Sequence, residues 1–289
     1  METFGQPGVT VGRPCHNLFT LLILSPFTPP FSSLPVLVLL QFLYRLSLGL
    51  AFAMAITSPK QVTSGFFRNH LYVLLGLNVL AAAVAWTDEA GRFTAWIPTT
   101  AAIVSYVGAV LWLYELPHVG RPAIGVVGLL GLLGAWQETV LPSPPTFGDQ
   151  LLFRLDPVAG GLTLGMTIGA MLLGHWYLNA PGMKLAPLRQ LVLGMAAAIV
   201  LRAVVSGVGL GFTVASDSGA LETGVFQAML ALRWLAGIVG SLVVAGMTWQ
   251  TLKIPNTQSA TGILYVGVIT TFLGELTAQL LSQRTPFPL

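Results

Sequence analysis

From about Leu34 to the last residue, long apolar runs alternate with short polar turns. A helix rises about 1.5 Å per residue, so about 20 apolar residues cross a hydrocarbon core of about 30 Å. The runs predict spanning helices over 34–57, 70–86, 96–114, 122–140, 158–178, 188–213, 225–250 and 259–281. Pro and Gly punctuate the gaps, as at Ser58-Pro59, Pro117, 142–145, Pro181-Gly182 and Pro255. Because these gaps are short, residues 34–289 read as a single polytopic domain. The expected fold is an all-α integral membrane bundle of about eight transmembrane helices, whose even number puts both chain ends on one side.

Residues 1–33 break this pattern. The apolar stretch from Leu18 to Leu24 is interrupted by Pro26, Pro29 and Pro30 and is too short to span. It also lacks the basic start and small-x-small cleavage site of a secretory signal. The reading is a poorly structured or surface-lying leader.

The two halves resemble one another. Leu48-Gly49 with Ala53-Met54 is similar to Leu164-Gly165 with Ala170-Met171, and Arg68 before Leu74-Leu75-Gly76 to Arg189 before Val192-Leu193-Gly194. Trp112 and Glu138 have the same spacing as Trp249 and Glu275. With four helices in each half, this is a parallel 4+4 internal repeat, an arrangement found in transporters with sites near the interface of the halves.

Composition agrees with the pattern. Apolar residues make up 54% of the 289 residues and charged residues 8%, against about 25% charged in a soluble domain. The net charge of +3 comes from basic residues scattered over loops and helices, with no basic stripe to follow a phosphate backbone, so no nucleic-acid partner is expected. The lone cysteine, Cys15, excludes an internal disulfide and a multi-cysteine metal site within one chain.

Lys and Arg collect in cytoplasmic loops. Lys60, Arg68, Arg121, Lys184, Arg189 and Lys253 fall in loops on one side, and only Arg92 and Arg154 in internal loops on the other. That assigns the first side to the cytoplasm and both termini to the outside. Asp88, Glu89, Asp149, Asp156, Asp217 and Glu222 are read as outer loop residues. Short loops and small size suit a bacterial inner membrane.

Five charges fall inside the predicted spans: Arg45, Glu138, Arg202, Arg233 and Glu275. Counted along their helices they share one layer in the outer half of the membrane. A charge near mid-bilayer costs upward of about 2.5 kcal/mol, so such groups face the bundle interior and pair. Three arginines against two glutamates leave one positive charge over. The surplus suits an anionic group, because Arg carries a fixed fork of donors. Glu275 is the candidate proton carrier or ion-pair partner.

Three histidines form a second constellation: His70 opening the second helix, His118 after the third and His175 near the inner end of the fifth. Neutral imidazoles from separate helices can ligate a transition metal or haem iron, which makes haem b the cofactor of this alternative. Interfacial helix caps or lipid contacts explain the same residues. Glycines are read as packing faces: Gly161, Gly165 and Gly169 at every fourth position, and Gly125, Gly128, Gly131 and Gly134 at every third. They suit a tightly packed bundle or a homodimer or complex seam. No strand precedes them, so they are not phosphate loops.

No catalytic or nucleotide-binding motif is present among these patterns. Three function classes remain: a carrier or permease for a small anionic or amphipathic solute, using the Arg/Glu layer; a haem- or quinone-linked membrane subunit of an electron-transfer complex; and a non-catalytic membrane scaffold or assembly factor.

Overall fold

The structure, a computed structural model, describes residues 34–87, 91–137, 146–180, 182–216, 224–254 and 256–289. Eight helices in it are long and apolar enough to cross a membrane: α1 (Leu34–Ile56), α2 (Ser64–Thr87), α3 (Trp96–Leu113), α4 (Pro117–Gln137), α5 (Phe147–Asn179), α6 (Ala186–Ala215), α7 (Gly224–Thr251) and α8 (Thr257–Ser282). The expected all-α membrane bundle is therefore observed, with no strand among the described residues.

Three helices start five or more residues earlier than the apolar pattern indicates; the fourth begins at Pro117, which places His118 in its first turn. The second begins at Ser64, which moves His70 from the helix mouth to two turns inside, where it is buried. The fifth begins at Phe147 and runs for 33 residues through Pro157. Thr146 caps it: its side chain accepts from the Asp149 amide, and the Asp149 carboxylate accepts from the Thr146 amide. This reciprocal cap satisfies otherwise orphan amides and nucleates the early start. Pro157 costs one backbone hydrogen bond, which a long packed helix tolerates. Arg154 and Asp156, expected in an outer loop, are consequently helical.

The helices form two four-membered rings with the same neighbour pattern. In the first, α1 packs on α2, α2 on α3, α3 on α4 and α4 back on α1; in the second, α5, α6, α7 and α8 repeat this order. The rings join chiefly through α1 and α5, the first helix of each half. Glycine makes that seam possible. A Cβ on Gly49 would lie 2.9 Å from Gly165 Cα, and one on Gly169 would lie 2.7 Å from Ala53 Cβ. Such small faces allow backbones to approach and gain dispersion contacts that lipid cannot replace. Gly128, Gly131 and Gly134 on α4 likewise meet Ala51, Leu48 and Tyr44 of α1, while Gly125 has open space around it. Both glycine faces are thus engaged inside the chain.

The main apolar core runs between the rings, from Leu50, Met54 and Phe66 to Met195, Val244 and Leu264. Towards the end where α1 and α5 begin, the first ring is filled by Leu37, Leu40, Tyr44, Ala81 and Ala85. The second ring holds charges at that end instead. After α8 the chain folds back: Pro288 lies against Gly209, Phe287 against Phe212, and the Leu289 amide donates to Ser282.

Candidate functional site

Each helix of the second ring contributes one charged residue to a common point: Asp156 from α5, Arg202 from α6, Arg233 from α7 and Glu275 from α8. Arg45 of α1 enters from the first ring and completes the group. Counted from the helix ends nearest the chain termini, the five lie roughly 10 to 20 Å deep, within one layer. Arg202, Arg233 and Glu275 are at most 1% exposed, and Arg45 and Asp156 5%.

Arg202 is the keystone. Its Nε donates to Glu275 Oε1 over 2.8 Å, and its Nη1 pairs with Asp156 Oδ1. Arg45 Nη2 reaches the other oxygen of Asp156 at 2.6 Å, and Arg233 Nη1 shares Glu275 Oε1 at 3.2 Å. The last pair is longer: Arg45 Nη1 stands 3.9 Å from Glu275 Oε2. Neutral groups hold the arginines in place. Gln41 accepts from Arg45 Nε and donates to the Ala135 carbonyl, Ser206 accepts from Arg233 Nη2, and the Leu289 carbonyl accepts from Arg202 Nη2 at 3.4 Å.

Burying charges is expensive, and mutual attraction repays the cost only where geometry and extra hydrogen bonds are good. Arg202 and Asp156 meet that condition on both sides. Arg45 Nη1, Arg233 Nε and Glu275 Oε2, by contrast, have no hydrogen-bond partner among the described residues. Among the side chains of this cluster, three guanidinium groups stand against two carboxylates.

Local backbone features set these positions. Residues Arg233–Gly240 of α7 are π-helical, a widened turn common at functional sites. One turn beyond Arg233, Gly237 meets Gly274: a Cβ on Gly237 would lie 2.6 Å from Gly274 Cα. That crossing brings α7 against α8 beside Glu275, within reach of Arg233.

Of the residues expected at a charged site, Arg45, Arg202, Arg233 and Glu275 come together. Glu138 lies outside the described residues. Asp156 stands as the second acid of the cluster, and reading it as a loop residue is corrected by the early start of α5. The physical signal was Thr146-Phe147-Gly148-Asp149, a capping pattern that announces a helix start ten residues before Asp156. Gln41 and Ser206 also face the cluster, and nothing in an apolar run marks which polar side chain meets a charge.

The histidines are placed apart in character. His70 is buried, stacks near Phe66 with ring centroids 4.1 Å apart, and bonds through Nδ1 to the Phe66 carbonyl. His118 and His175 are exposed near helix ends. Among the described residues, no three of His, Cys, Asp and Glu are arranged to hold a metal ion. Trp176, beside His175, donates instead to Thr63 at the start of α2.

An apolar groove of about 460 Å³ lies on the neighbouring faces of α1 and α8. Val38, Leu39, Leu276 and Leu280 line it with Met229 of α7, and Gln283 and Arg284 stand among its polar residues. Leu276 adjoins Glu275 in sequence, so the groove and the charged cluster occupy adjacent faces of one helix. No protein-family model, curated protein or solved structure matches this chain.

Proposed function

We propose that this polytopic membrane protein is a carrier for a small anionic or amphipathic solute, with Arg45, Arg202 and Arg233 as its anion-binding groups. The observation that carries this reading is three buried arginines against two side-chain carboxylates, with donors on Arg45 and Arg233 that have no hydrogen-bond partner among the described residues. A buried charge without full compensation costs several kcal/mol, roughly, and an entering carboxylate or phosphate would offset it. Arginine suits the task because its planar fork matches either anion. The groove at Val38, Leu276 and Leu280 offers an apolar tail a seat beside the cluster. Glu275, held by three arginines, is the group that an anion would displace or that would take up a proton with it.

The test is binding first and flux second. Purified protein is heated with acetate, inorganic phosphate, a dicarboxylate or a medium-chain fatty acid, and the anion that raises Tm is then followed into proteoliposomes. Arg233→Gln should lose both the Tm shift and uptake while the protein still folds. If no anion shifts the native protein and Arg233→Gln is less stable than the native chain, the cluster is a structural ion-pair network, and the protein reads as a membrane scaffold.

A further inference from the structure

Among the described residues, Gln279 is a buried side chain with both of its polar atoms unpartnered. It is 4% exposed, and neither its amide nitrogen nor its amide oxygen has a hydrogen-bond partner among the described residues. Buried polar atoms are almost always bonded to protein or to ordered water. A side chain with two orphan atoms therefore points to a ligand.

Its neighbours narrow the choice. Glu275, Gln279 and Gln283 are spaced four apart on α8 and so lie on one stripe, with about 6 Å of rise between successive members. Gln283, at the helix end, is exposed. One turn inward from Gln279, Glu275 Oε2 lacks a hydrogen bond, and across from it so does Arg45 Nη1, at 3.9 Å. A separation beyond 3.5 Å between such groups is the span that a bridging water fills. Gly160 of α5 keeps this gap open: a Cβ there would lie 2.5 Å from Glu275 Oε2 and 3.0 Å from Arg45 Nη1.

The free atoms alternate in kind. Arg45 Nη1 and Gln279 Nε2 donate, whereas Glu275 Oε2 and Gln279 Oε1 accept. An anion would accept from Arg45 Nη1 and leave Glu275 Oε2 without a donor, a cation would be repelled by the guanidinium, and an apolar group would leave all four atoms unsatisfied. Water both donates and accepts.

We propose that Gln283, Gln279 and the open side of the Arg45–Glu275 pair hold a file of water molecules linking the end of the bundle where α8 finishes to the buried charge cluster. The file gives the cluster a hydrated inlet from that end of the bundle. It stands on the orphan atoms alone and holds whether or not the protein is a carrier.

Radiolytic hydroxyl labelling tests it, because radicals formed from local water oxidise the side chains next to that water. Gln279→Met keeps length and shape, and methionine reports as its sulfoxide. Met54 and Met195, buried in the apolar core, serve as dry standards in the same molecule. The sulfoxide at position 279 should form at least about tenfold faster than at either standard. Equal rates in a folded, monodisperse Gln279→Met protein overturn the proposal. Gln279→Leu gives a second readout. If the site is dry, removing two orphan atoms raises Tm by about 2 °C or more, and that rise also overturns the proposal. A Tm that holds or falls is the outcome expected when the amide is bonded to water.

Discussion

Gly49 and Gly165 meet backbone to backbone where α1 crosses α5, so that a side chain on either would strike the other's main chain. The two glycines also occupy matching places in the two halves of the sequence. Residues that correspond in two repeats touch each other only at the axis relating the repeats, as in an isologous interface. Arg45 and Gly161, separated by the same interval, touch through the Arg45 carbonyl, and so do Ala53 and Gly169. A parallel repeat of the two halves would place its twofold axis at the α1–α5 seam. The sequence match of Ala53 to Ala170 is one residue out of this register.

A methyl group at this seam should be costly. Gly49→Ala places a Cβ against the Gly161 carbonyl and forces the two helices apart, at about 3 kcal/mol. Gly125→Ala, in open space on α4, should be neutral or stabilising by up to about 1 kcal/mol, because alanine is the better helix former. Thermal unfolding of both variants in one detergent checks the contrast.

Asp156 should matter to stability as much as Glu275. Asp156→Asn removes the carboxylate that pairs with both Arg45 and Arg202 and leaves three arginines against one acid, a loss of about 3 to 5 kcal/mol. Adding Arg45→Gln removes one of the stranded charges and should recover part of that loss. A double-mutant cycle measures the coupling between these two contacting residues. Strict additivity would show that Arg45 and Asp156 do not pair in the membrane.

Gly160→Ala should act on function through the Arg45–Glu275 gap. The added methyl cannot coexist with Glu275 Oε2 and Arg45 Nη1 in their observed positions, so one of them must turn away. Any anion-induced Tm shift of the native protein should weaken at least about tenfold in apparent affinity, since about 1.4 kcal/mol of displaced contact suffices for that factor. Titration of the two proteins with the anion found active in the first screen gives the result directly.

The start of α5 depends on its cap. Thr146→Ala loses the reciprocal bonds with Asp149 and should cost about 1 kcal/mol. Fraying there would be read as faster amide exchange over 147–155, ahead of the segment that carries Asp156.

The sequence by itself determined the class, the eight spans and four of the five charged residues of the cluster. Each follows from a one-dimensional cost: a spanning helix needs an unbroken apolar run, and a charge within such a run must be buried and paired. The small-residue rows at every third or fourth position marked candidate packing sides of α4 and α5, of which Gly125 alone among the seven glycines named has open space around it. Only the tertiary structure decided which surfaces those faces meet, and it engages them between α1, α4 and α5 of the same chain. Only the fold recruited Asp156, because a proline beside an acid reads as a boundary until a cap and packing carry the helix through it. The closing of four helices into each ring, the crossing of Gly237 on Gly274 and the orphan amide of Gln279 depend on distances between segments far apart in sequence. Hydropathy records how deep a residue lies, and packing alone fixes which neighbours it finds there.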